Sequence, residues 1–144
     1  MDSLKEEQQR QLLIDELTGL FAKSGLKIIG AVGTDKYDAP PRLRNEGYGD
    51  QDDKRPDIFA LDEKTGHYVI GVARLGLNDL ESDHALTQYN VFLDQFDPRT
   101  GERARLIVIL PAAKVAEFNT LITHYIHPDL WGSISVVGSD ALGA

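Results

Sequence analysis

Residues 103–111, RARLIVILP, set five large aliphatic side chains in a row, Leu106 to Leu110, between the turn signal DPRTG at 97–101 and Pro111. A strand with one wet face alternates polar and apolar residues, so a run without alternation reads as a strand covered on both faces. Helices above and below a sheet provide such cover, which makes the segment a pointer to an α/β arrangement. The remainder of the 144 residues holds the candidate elements that supply it.

Ser3 with Glu6 fits a capping box, and Leu13, Leu17, Leu20, Phe21 and Ser24 follow at helical spacing until Gly25 supplies the stop. LKIIGAVG at 26–33 reads as a strand rich in β-branched residues. RPDIFALD at 55–62 and HYVIGVAR at 67–74 flank the short polar connector EKTG, as two arms of a hairpin do. With the preceding strand they predict a three-stranded antiparallel meander. Asn78 or Asp79 can cap a second helix, whose stripe is Ala85, Tyr89, Phe92, Leu93 and Phe96. After the apolar run, Val115, Phe118, Ile122, Tyr125 and Ile126 mark a third helix, and GSISVVG a last strand.

The expected fold class is therefore α/β with an α+β-like mixed sheet flanked by helices, in the order αβββαβαβ. One domain is expected over 1–144, with a long loop at 34–54 and a loose tail at 139–144. With 42% hydrophobic residues the chain can bury a real core, and with no cysteine it has neither disulfides nor thiolate ligands nor a cysteine nucleophile. No apolar run approaches the roughly 20 residues of a membrane span, and MDSLKEEQQR is too polar for a signal peptide, so a cytoplasmic location is expected. The net charge of -8 works against unassisted binding to duplex DNA, where basic faces displace counterions.

RPD at the entry of the middle strand, GVAR at the end of the next, and the helix DLESDHALTQYNVF that follows together resemble the PD-(D/E)xK (restriction-endonuclease-like) nuclease superfamily over most of the chain. The resemblance implies a restriction-endonuclease-like core and a site holding Mg²⁺ or Mn²⁺. Asp57 matches the first metal ligand, Val72 stands at the second ligand position, and Arg74 stands at the lysine position. The backbone carbonyl of Ala73 would be a further oxygen ligand. Val72 has no ligand atom, and Arg74 stays protonated, so it can clamp a phosphate but cannot act as a base.

A substitute carboxylate would come from Glu16, or less directly Asp15, on the first helix, or from Glu81 or Asp79 on the helix after the motif, with Gln88 as a hydrogen-bonding neighbour. The competing reading pairs Arg74 with Asp57 across the hairpin, an internal cation replacing the metal. If the strands keep a nuclease arrangement, Val72→Glu with Arg74→Lys should rebuild a metal site. Lys36, Arg42, Arg44, Lys54 and Arg55, with Tyr37 and Tyr48 among them, could grip phosphates as a basic and aromatic flap or be only a solvated excursion.

Weaker signals add little. His124 and His127 have a chelating spacing but no completing acid or cysteine. His67 and His84 are isolated, the serines lie in no nucleophile elbow, and GAVGTDK lacks the Gly-Lys-Ser/Thr ending of a phosphate loop. Three functions remain open. They are a nuclease-like binding or scaffolding module with a degraded metal site, an active Mg²⁺-dependent DNA endonuclease with a relocated ligand, and a homo-oligomeric interaction protein unrelated to nucleic acid. The resemblance also suggests a homodimer.

Overall fold

The structure is a computed structural model and describes residues 2–34, 36–41, 43, 56–75, 101, 103–126 and 128–141. Helix α1 (Asp2–Lys23) starts one residue ahead of the expected cap at Ser3. It buries Leu13, Ile14, Leu17 and Phe21, whereas Leu20 lies at the margin of that stripe and stays 38% exposed. Its end follows from Gly25, whose φ of 79° only glycine adopts without strain. There Gly25 N donates to Ala22 O and Leu26 N to Phe21 O, the paired bonds of a Schellman cap.

Strands β1 (Lys27–Ala31), β2 (Ile58–Asp62) and β3 (His67–Ala73) form the antiparallel meander. The β2–β3 connection closes on Gly66, at φ 81°, whose N–H donates to Asp62 O at 2.8 Å. Burial pushes the Asp62 carboxyl up, but hydrogen bonds from Lys64 and Thr65 and the charge of Arg105 outweigh it and hold the group below its ordinary value. Strand β4 (Arg105–Pro111) pairs parallel with β3, and β5 (Ile134–Ser139) parallel with β4. The result is a mixed five-stranded sheet in the order β1-β2-β3-β4-β5. Helix α2 (Val115–Tyr125) connects β4 to β5, preceded and followed by 3₁₀ turns at Ala112–Lys114 and Pro128–Ser133. The helix expected over 78–96 lies outside the described residues.

Alternation along the strands assigns the two covers. Ile70, Val72, Leu106, Val108 and Leu110 pack with Phe118, Leu121 and Ile122 of α2. Val69, Ala73 and Ile109 pack with Leu13, Leu17 and Phe21 of α1. The uninterrupted aliphatic run is thus explained, since β4 has an apolar neighbour on each side.

Described residues of two segments expected to be irregular are packed or paired. Within 34–54, Pro40 lies against β1 and Leu43 is buried in the α2-side core. Ser139, where a loose tail was expected to begin, is the last residue of β5 and 1% exposed. A Cβ on Gly30 would lie 2.7 Å from Pro40 Cα, backbone against backbone. Gly30→Ala is therefore expected to cost about 2–3 kcal/mol in urea unfolding. Gly138→Ala, whose Cβ meets Val115 Cγ2 at 3.2 Å, should cost less than half as much.

Candidate functional site

Because β2 and β3 run antiparallel, the residue entering β2 lies beside the carboxyl end of β3. Asp57 is fixed there from both sides: its N–H donates to Gly71 O at 3.1 Å and its carbonyl accepts from Val32 N at 2.9 Å. The residue is 5% exposed, and its carboxylate accepts two bonds. Oδ2 accepts from Ala73 N at 2.8 Å, and Oδ1 accepts from Arg10 Nη2 at 2.7 Å.

Arg10 lies three residues before Leu13 and seven before Leu17, so it continues the buried stripe of α1 by one turn toward the N-terminus. Its stem lies along the protein while 43% of the side chain remains open to water. The periodicity of α1 held this signal, but a cation extending an apolar stripe reads as an ordinary solvated charge until its partner is known.

Arg74 follows β3 directly. Its N–H donates to Ile109 O at 3.0 Å, and Nη1 donates to the Ala73 carbonyl at 3.1 Å. The residue is 3% exposed. The structure thus gathers Asp57, Ala73 and Arg74 at one strand end, as expected, but the ion pair of Asp57 is with Arg10 and not with Arg74. The reason is reach: α1 crosses the sheet at this end and brings a long cationic side chain onto the carboxylate.

Glu16 was expected to join Asp57. It is bonded instead at the carboxyl end of β5, two strands away from β3, where Oε1 accepts from Ser139 Oγ at 2.6 Å and Ser139 Oγ accepts from Ala141 N at 3.1 Å. Asp15 is exposed and accepts from Gln11 Nε2 at 2.9 Å. His67 and His124 each have Nδ1 at a backbone carbonyl, those of Arg103 and Thr120. Asp79, Glu81, His84, Gln88, Arg42, Arg44, Lys54, Arg55 and His127 lie outside the described residues.

A hard divalent cation needs several oxygens free to face it. Here both oxygens of Asp57 accept from protein N–H groups, the Ala73 carbonyl accepts from Arg74, and Glu16 is engaged by Ser139. Val72 is 1% exposed in the α2-side core and offers no donor atom. Among the described residues no group of three acids or histidines is placed to hold a metal. Two guanidinium groups bonded to these same oxygens would also repel a dication. The described residues do not fit the ion that the family resemblance implies.

No family model, no curated protein and no solved structure matches the chain. Fold and site together define an α/β domain with a mixed sheet and an arginine-bonded aspartate at the carboxyl end of its central strand. Among the described residues no helix is long and apolar enough to cross a membrane.

Proposed function

We propose that this chain is a PD-(D/E)xK-like domain in which an internal cation has taken the place of the metal, and that it serves as a binding or scaffolding module of nucleic-acid metabolism and not as a nuclease. The observation that carries this reading is the bond from Arg10 Nη2 to Asp57 Oδ1 at 2.7 Å, combined with a valine buried at the second ligand position. A mixed sheet in which an antiparallel meander is followed by two parallel strands, with helices α1 and α2 against it, supports the nuclease-like part of the reading. Arg42, Arg44, Lys54, Arg55 and Gln88 are the positions we assign to nucleic-acid contact. The net charge of -8 favours a role in which another subunit supplies most of the phosphate affinity.

Calorimetric titration with Mn²⁺ at neutral pH and low salt, with Asp57→Ala as control, tests the reading. No stoichiometric heat is expected from the natural protein. Stoichiometric binding that disappears in Asp57→Ala would overturn the proposal. It would favour an active endonuclease completed by an acid such as Glu81, and nicking assays on duplex, branched and single-stranded DNA would then measure its activity.

A further inference from the structure

The aliphatic run of β4 demands cover on both faces of the sheet, and the two faces are covered unequally. On the α2 side Leu106, Val108 and Leu110 are at most 1% exposed. On the α1 side Ile109 is closed, but Ile107 and its neighbour Val137 are only half-buried at the margin of the core. The cause is the position of α1. A Cβ on Gly71 would lie 2.9 Å from Leu17 Cδ2, so the helix rests on β3, two strands short of β5. Helices packed side by side stand about 8–10 Å apart, and two strand spacings come to about 10 Å. The α1 side of β4 and β5 therefore has the width of one further helix.

The wall of this space is a second stripe on α1. Glu16 Oε1 accepts from Ser139 Oγ, which turns the row Leu12, Glu16, Leu20 and Lys23 toward β5. Leu12 is 52% exposed and Leu20 38%. The floor is Ile107, Val137 and the exposed Ser135, which alternation and the register with β4 set on the α1 side. We propose that this groove docks an amphipathic helix of a partner protein, laid beside α1 and parallel to it, with basic residues in its first turn and acidic residues in its last.

The floor selects a helix, because an extended segment would leave its backbone polar groups unpaired over apolar side chains, whereas a helix bonds its own. Charge selects its chemistry and its direction. The end of the groove beside Ser139 carries the carboxylates of Asp15, Glu16 and Asp140, while Arg10 near that end is already paired with Asp57. The opposite end carries Lys23 and Arg105, both exposed, and Asp62 beside Arg105 is held by hydrogen bonds from Lys64 and Thr65. The positive end of a helix dipole with basic side chains fits the first end, and the negative end with acidic side chains fits the second. The net charge of -8 disfavours a second copy of this chain in the same place. The inference goes beyond the nuclease-like reading and does not depend on it.

Two synthetic peptides of about 18 residues, enough to span β5 with a turn to spare, are the probes. Both carry leucines at i, i+3, i+4 and i+7. One has lysines in its first turn and glutamates in its last, and the other has them exchanged. Titrated into the isotope-labelled full chain, the first should shift the amides of Leu20, Ile107, Ser135 and Val137 and bind about tenfold more tightly than the second. The second forms the better isolated helix, so a preference for the first is not a matter of helicity. Leu20→Lys should abolish these shifts and keep the far-UV circular dichroism spectrum. If Leu20→Lys does not fold, the shift map and the two affinities of the natural protein decide the matter without it. No shifts, shifts that fall elsewhere, equal affinity for both peptides, or the same amides shifting with protein concentration alone would each overturn the proposal, the last by making a second copy the occupant.

Discussion

Arg10→Ala is expected to cost about 2–3 kcal/mol of folding stability, more than Asp57→Asn costs at the other end of the same bond. The two ends are unequal in their access to water. The Asp57 side chain is 7% exposed, so truncating Arg10 leaves a carboxylate in the protein with only the Ala73 N–H to answer it. Breaking a fully buried pair by removing one partner costs about 3–5 kcal/mol. Arg10 is 43% exposed, and water entering beside Asp57 reduces the figure. In Asp57→Asn the amide oxygen still accepts from Ala73 N, and the freed arginine turns into solvent, for a cost of about 1 kcal/mol. The double variant should recover most of the loss, because a neutral amide needs no counter-ion. Chemical denaturation of the four proteins in a double-mutant cycle gives the coupling directly. If Arg10→Ala costs no more than Asp57→Asn, the guanidinium is not what makes the buried carboxylate tolerable, and the reading of it as a replacement cation fails.

Val72→Glu should be the more damaging change, by about 3–5 kcal/mol, for it places an unpaired carboxylate in an apolar core. Val72 belongs to the α2-side core with Phe59, Ile70, Val108 and Phe118, whereas Arg10 reaches the Asp57 carboxylate from α1. On sequence grounds, Val72→Glu with Arg74→Lys looks like the repair of a metal motif. With the packing known, the expected outcome is reversed: the double variant unfolds at markedly lower urea and shows no stoichiometric Mn²⁺ binding. A folded double variant that binds Mn²⁺ would show that position 72 reaches the carboxylate, and that the strands remain aligned for hydrolysis.

The strand end that gathers Asp57, Ala73 and Arg74 was legible from RPD, GVAR and the short connector between them, because a tight hairpin fixes which residues lie side by side. Arg10 was not, since a contact 47 residues away depends on the angle at which α1 crosses the sheet. Ser139 was missed for a related reason. It stands next to a glycine near a small-residue tail, and only the closing of β5 beside β4 buries it and delivers its hydroxyl to Glu16, 123 residues earlier.

The sequence by itself determined the local elements among the described residues and the α/β class. Periodicity, glycine stops and an unbroken aliphatic run are properties of neighbouring residues, and their energetics are settled within a few turns of chain. Only the tertiary structure decided the state of the site. Whether Asp57 faces a metal, Arg74 or Arg10 depends on which distant group arrives at a carboxylate with little access to water. Charge in such a place is governed by its partner and by the water it loses, and neither is written in the residues beside it.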